Sequence, residues 1–153
     1  MEANEKIDRS MEHAWKYFEL HAQQRMTVFN FFLAISGLIA AGIGVSLQQG
    51  AKFSAFATLL GIFLSLVSFL FWKLDKRVSV MIKRAESALC YIEQSGIIPE
   101  ASIFSSDDKI TRSKGFMSVW TYGKCFRVSF FTVGIIGLAL AFAPYVIDFT
   151  CKA

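Results

Sequence analysis

Three stretches of about twenty residues carry no charged side chain: 28–47 (VFNFFLAISGLIAAGIGVSL), 53–72 (FSAFATLLGIFLSLVSFLFW) and 128–147 (VSFFTVGIIGLALAFAPYVI). A helix of that length is about 30 Å long, the thickness of a bilayer's hydrocarbon core. Lipid offers no water to backbone N–H and C=O groups, so such segments must pair them internally, as helices. Hydrophobic residues make up 54% of the 153-residue chain and charged residues 18%, against about 25% charged in a soluble domain. A chain this short cannot bury so much apolar surface within itself. The expected fold class is an all-α integral membrane protein with three transmembrane helices.

Basic residues orient these spans. Residues 1–27 carry four Lys or Arg, 73–127 carry ten, and Lys52 and Lys152 stand alone on the other side. Loops rich in Lys and Arg stay in the cytoplasm. The chain is therefore expected to be multi-pass in a bacterial inner (plasma) membrane, with its N-terminus cytoplasmic and its C-terminus external. The divisions are a cytoplasmic N-terminal helix (1–27), a transmembrane hairpin (28–72), a cytoplasmic helical region (73–127), a third transmembrane helix (128–148) and an external tail (149–153). Trp72 followed by Lys73 is an interfacial anchor. About twenty-six mostly polar residues precede the first span, unlike a cleavable signal peptide. The net charge of +4 follows from topology, and no sequence-specific nucleic-acid binding is expected.

The hairpin helices are expected to continue into the cytoplasm. The linker 48–52 (QQGAK) is short. No Gly or Pro precedes Gly37, and none lies between Trp72 and Ser95. Leu74, Val78, Met81, Ala85, Ala88 and Ile92 form a heptad stripe. Ile7, Met11, Ala14, Trp15, Phe18 and Ala22 form an apolar face on the arm. These stripes either pack on each other or meet neighbouring subunits or a partner; Trp15, Phe18, Val78, Met81, Ala85 and Ile92 are the candidate interface residues. Residues 95–115 read as a loop, with Ser106 or Asp107 able to cap a short helix that includes Ile110. Phe116, Val119, Trp120 and Phe126 suggest an amphipathic entry to the third span.

Chemistry is sparse. His13 and His21 lie eight apart, not the three or four of a metal-binding face. Arg9 and His13 fall one residue short of the RxxxxH pattern of nucleotide-cutting helical domains. There is no phosphate loop and no nucleophile elbow. No catalytic residue, metal or cofactor is assigned, and the chain is not expected to be an enzyme. Cys90, Cys125 and Cys151 imply no disulfide framework. The uncharged spans also count against a coupled transporter.

Small residues recur at four-residue spacing: Ser36, Ala40 and Gly44 with Gly37 and Ala41 in the first span, Ala57, Gly61 and Ser65 in the second, and Gly137 and Ala141 with Gly134 in the third. Such stripes let helices approach closely. A passive pore would draw on Arg25, Phe29, Asn30, Ser36, Gly37, Ala40 and Gly44, with Phe29, Phe31 and Phe32 as an apolar gate. Asn30 either lines it or bonds a neighbouring helix. Arg25 either rings its mouth or snorkels to headgroups.

The stretch 15–44 (WKYFELHAQQRMTVFNFFLAISGLIAAGIG) resembles a class of small bacterial membrane proteins in which an aromatic, polar arm enters the first of a few spans. The wider plan, over 15–95, is similar to membrane effectors of bacterial anti-phage systems. These include two-span effectors associated with nucleotide-signal sensors and accessory proteins encoded beside RNA-targeting CRISPR nucleases. The third span departs from the two-span plan. The resemblance implies a homo-oligomeric membrane pore or depolarising effector, with a cytoplasmic nuclease or nucleotide-signal protein as possible partner. A membrane anchor for a cytoplasmic partner, or a membrane-bound nuclease using Arg9 and His13, are the other readings.

Overall fold

A computed structural model describes residues 2–95, 103–104 and 121–147. All regular structure in them is helical. α1 runs Glu2–Gln48, a short 3₁₀ turn covers Gly50–Phe53, α2 runs Ser54–Ser95 and α3 runs Tyr122–Val146. α1 is one helix of 47 residues. Its polar half is favoured by pairs one turn apart, Glu5 with Arg9 at 2.5 Å and Glu12 with Lys16 at 2.6 Å, an arrangement that supports a helix. The hydrogen bond between Glu12 and Lys16 holds the carboxyl below its ordinary pKa and the ammonium above its own. α3 starts two turns before the apolar run, and Lys124 N–H donates to Thr121 O at 2.9 Å at its first turn. Pro144 sits in its last turn, close to where the helix ends. The expected Ser106 or Asp107 cap, residues 116, 119 and 120, and Cys151 lie outside the described residues.

Three helices are long and apolar enough to cross a membrane, and only 17%, 28% and 22% of their most apolar stretches are buried within the chain. Water cannot cover that much exposed Leu, Ile and Phe at reasonable cost.

The chain divides into two compact units. One comprises Thr27–Asp75 and Cys125–Ala153. Its core is Phe32, Ile39, Ile43, Leu64, Val67, Phe126 and Phe130. Aromatic rings tie α1 to both other helices: Phe29 stacks on Phe126 of α3 at 4.1 Å, and Phe32, wholly buried, meets Phe130 of α3 edge-on at 4.6 Å and Phe71 of α2 at 5.5 Å. α2 and α3 meet almost backbone to backbone. A Cβ on Gly61 would stand 2.7 Å from Ala141 N and 2.8 Å from Gly137 O, and one on Gly137 would stand 3.0 Å from Gly61 O. Ala57 and Ala141 are buried beside this contact. The Thr58 hydroxyl lies 3.0 Å from both Ser54 O and Ala141 O, so its proton is shared across the helix pair.

The other unit comprises Met1–Met26 and Lys76–Lys124. Phe104 sits against Trp15 and Phe18 at 6.2 and 5.6 Å, and its N–H donates to Glu93 Oε1 at 3.1 Å. The buried stripe of α2 here is Val78, Ile82, Ala85 and Leu89. Val78 and Ala85 stand in the expected heptad, but Ile82 and Leu89 take the buried places expected of Met81, which is half-buried, and Ala88, which is exposed; Leu74 is exposed as well.

The contact at Gly61 generates a test. Gly61→Ala must push the α2 and α3 backbones apart and is expected to cost about 1–3 kcal/mol, as overpacking does. Gly37→Ala, where an added Cβ meets nothing within 4 Å, is expected to be neutral or mildly stabilising. Melting temperatures in detergent distinguish the two; equal shifts would contradict the close approach.

Candidate functional site

α1 has two unlike faces within the first unit. Phe32, Ser36, Ile39, Ile43 and Ser46 are buried, and Phe29 is half-buried on the same side. The opposite side carries Asn30, Ala34, Gly37, Ala41 and Gln48, all exposed, with Gly44 half-buried. These six positions step by four and three, so they form one straight stripe along the helix. At about 1.5 Å per residue the stripe is about 27 Å long, close to the depth of a hydrocarbon core. Leu33, Leu38 and Val45 flank it, exposed by 50%, 77% and 55%. The result is a shallow channel of small side chains between larger ones, with an amide at each end.

The small residues of α2 and α3 are already occupied. Gly61 and Gly137 touch the facing backbone, and Gly134 lies 3.4 Å from Ser68 Cβ, measured from where its own Cβ would be. On α1 the matching positions Gly37 and Gly44 have open space in front of them. Of the three small-residue faces in the sequence, one is left without a covering helix among the described residues.

The candidates drawn from the sequence therefore separate. Asn30, Gly37 and Gly44 share the outer face, and Ala40 stands exposed at its edge. Phe29 and Ser36 are turned to the packed face, so the structure does not bring them together with Asn30. Phe29 is stacked on Phe126. Ser36 is only 7% exposed, and among the described residues its Oγ alone is a buried side-chain oxygen without a hydrogen-bond partner. Ser46 and Ser68, by contrast, donate to Gly42 O and Leu64 O one turn back. Arg25 belongs to the other unit, half-buried, with its guanidinium against Gly123: a Cβ there would stand 2.9 Å from Nη2. In that unit Val78 and Ala85 are buried, each at 5% exposure, whereas Met81, Ile92 and Phe18 are half-buried and Trp15 is 47% exposed.

Two features escaped the sequence reading. Asp75 is 2% exposed, and its Oδ2 lies 4.0 Å from Arg127 Nε. A single acid between Lys73 and Lys76 was the available signal. The Arg9 guanidinium is engaged by Glu5 and Lys16 by Glu12. Among the described residues no group of three or more His, Cys, Asp or Glu stands close enough to hold a metal. Cys90 and Cys125 are free thiols.

The class this defines is a small all-helical protein with three helices fit to cross a bilayer, one of which keeps a small-residue face uncovered. A relative from Escherichia coli, CD-NTase-associated protein 19, is 54% identical over 143 residues, which is 93% of this chain and 95% of the relative. The chain belongs to the family of that protein. No family model and no solved structure matches it.

The two faces of α1 can be told apart by mutation. Phe32→Ala is expected to cost about 3–5 kcal/mol, as for a fully buried ring, and Phe31→Ala, 60% exposed, close to nothing. Ser36→Ala removes an unsatisfied hydroxyl and is expected to leave stability unchanged or raise it by about 1 kcal/mol. A large loss at Ser36→Ala or Phe31→Ala, read as detergent melting temperature, would reverse the assignment of faces.

Proposed function

We propose that this protein is the membrane-resident effector of a bacterial anti-phage system, and that its copies assemble through the outer face of α1 into a pore that depolarises the cell. The observation that carries the reading is the uncovered stripe of Asn30, Ala34, Gly37, Ala41, Gly44 and Gln48 on a helix apolar enough to span a bilayer. Lipid tails are as apolar as leucine, so spans associate by close van der Waals packing and interhelical hydrogen bonds. Small residues permit the first, and Asn30 and Gln48 supply the second. In a single copy these amides face hydrocarbon or headgroups; in a ring they face each other or a central path.

The defence role draws on the relative associated with a CD-NTase, which favours a nucleotide-signalling system over a CRISPR-linked one. The pore draws on the outer face and on the scarcity of catalytic groupings. In this reading the basic residues put 1–27 and 73–127 in the cytoplasm, where a nucleotide-signal partner acts on them to open the assembly. Homo-oligomerisation, the inner-membrane location and cytoplasmic control are parts of the same proposal.

A second reading has its own support. Ile7, Met11 and Trp15 lie on one face of the α1 arm, exposed by 45%, 48% and 47%. A face of that kind on a polar helix suits docking to a partner, and the chain would then be an anchor or adaptor. The nuclease alternative has less to rest on, since Arg9 is held by Glu5.

Reconstitution into liposomes separates these readings. Wild-type protein, with its activating system supplied, is expected to release ions or a small dye. Gly37→Leu combined with Gly44→Leu is expected to reduce release about tenfold or more, equivalent to ~1.4 kcal/mol of assembly energy, while leaving the melting temperature in place. Silent wild-type liposomes together with a stoichiometric partner recovered from native membranes would favour the adaptor.

A further inference from the structure

One side of the α2–α3 pair carries a groove of about 580 Å³ that the helix core does not fill. Ser65, Ser68 and Gly134 form part of its lining as small residues, Leu138 marks one end, and Trp72 and Arg127 mark the other. It is apolar along its length, apart from serine hydroxyls, and charged at one end only. From Arg127 to Leu138 the groove follows α3 for about 16 Å at 1.5 Å per residue. That is about half of a ~30 Å hydrocarbon core, the depth of one leaflet.

The charged end has donors to offer. A guanidinium carries five N–H groups. Asp75, the one carboxylate found against Arg127 among the described residues, is 4.0 Å away, too far for a good hydrogen bond. The Arg127 side chain is 46% exposed. Lys73 stands at the same end, its Nζ 5.5 Å from the Phe69 and Trp72 ring centres, and both rings line the groove.

We infer that this groove binds one anionic phospholipid of the cytoplasmic leaflet, with an acyl chain along Ser65, Ser68, Gly134 and Leu138 and its phosphate on Arg127 and Lys73. The inference rests on the membrane reading and is independent of pore formation. Charge complementarity selects the ligand. Two cations at the mouth and one buried carboxylate leave a positive end, which discriminates against zwitterionic headgroups. A planar guanidinium suits bidentate phosphate recognition.

Trp72 is a built-in reporter. With Trp15→Phe and Trp120→Phe, it is the remaining tryptophan. The full-length protein is placed in phosphatidylcholine vesicles containing a small fraction of mid-chain brominated phosphatidylglycerol or brominated phosphatidylcholine. Quenching by either lipid reports insertion; the ratio between them reports the site. The expected preference for phosphatidylglycerol is about fivefold, the effect of roughly one basic residue at an anionic surface. Arg127→Gln with Asp75→Asn, which avoids stranding a buried charge, is expected to bring the ratio close to one. Phe131→Ala shortens one wall of the groove at a residue 71% exposed, and is expected to weaken quenching by both lipids alike. Equal quenching in the wild type, or an unchanged ratio in the double variant, would overturn the assignment. Quenching that rises as the protein is diluted in the bilayer would put a second copy in the groove and overturn it equally.

Discussion

The close contact of α2 and α3 at Gly61, Gly137 and Ala141 decides how the membrane-fit half of this protein is built. Helix pairs in lipid gain little from excluding water, so they depend on how near the backbones can come. Here the approach is close enough that a single methyl group on Gly61 would meet the Ala141 backbone. Once two helices are joined through their small faces, the third has no small face to join. α1 is held through large rings instead, Phe29 and Phe32 against Phe126, Phe130 and Phe71. This leaves its small residues on the outside.

Two surfaces follow from that arrangement, and they differ in chemistry. The outer stripe of α1 is small and neutral, with amide groups near its ends. It fits another copy of the same helix. The groove beside α2 and α3 is apolar with two cations at one end, and it fits a lipid. The second unit is different again: a buried stripe at Val78, Ile82, Ala85 and Leu89, an aromatic cluster around Phe104, and a half-exposed row at Ile7, Met11 and Trp15. The residues proposed for assembly, for lipid contact and for partner contact are thus separate, and each set can be altered without the others.

Three long helices were legible in the sequence because uncharged runs of about twenty residues have few other solutions. The continuity of α1 across its polar and apolar halves was legible from the lack of Gly or Pro before Gly37. Which side of each helix faces inward was not. A run such as FNFFLAISG has large residues on every face, so periodicity cannot choose between Phe29, Phe31 and Phe32. The choice was made by Phe126 and Phe130, almost a hundred residues on. Ser36 and Gly37 are adjacent in sequence and were equally good pore candidates, yet one is buried and the other open. In α2 two positions of the stripe moved by one residue, from Met81 to Ile82 and from Ala88 to Leu89, while Val78 and Ala85 kept their places: VSVMIKRA offers apolar residues on both candidate phases. Asp75 was hidden among Lys and Arg, where an acid reads as surface charge.

Disulfide trapping along α1 in native membranes tests most directly whether its outer face joins copies. Cysteines are introduced one at a time from 28 to 47, with Cys90, Cys125 and Cys151 replaced by serine. Cross-linked dimer is expected to peak at 30, 34, 37, 41 and 44 and to vanish at 32, 36, 39 and 43, a helical period on the outer side. A flat profile, or one that peaks at the buried positions, would contradict assembly through this face.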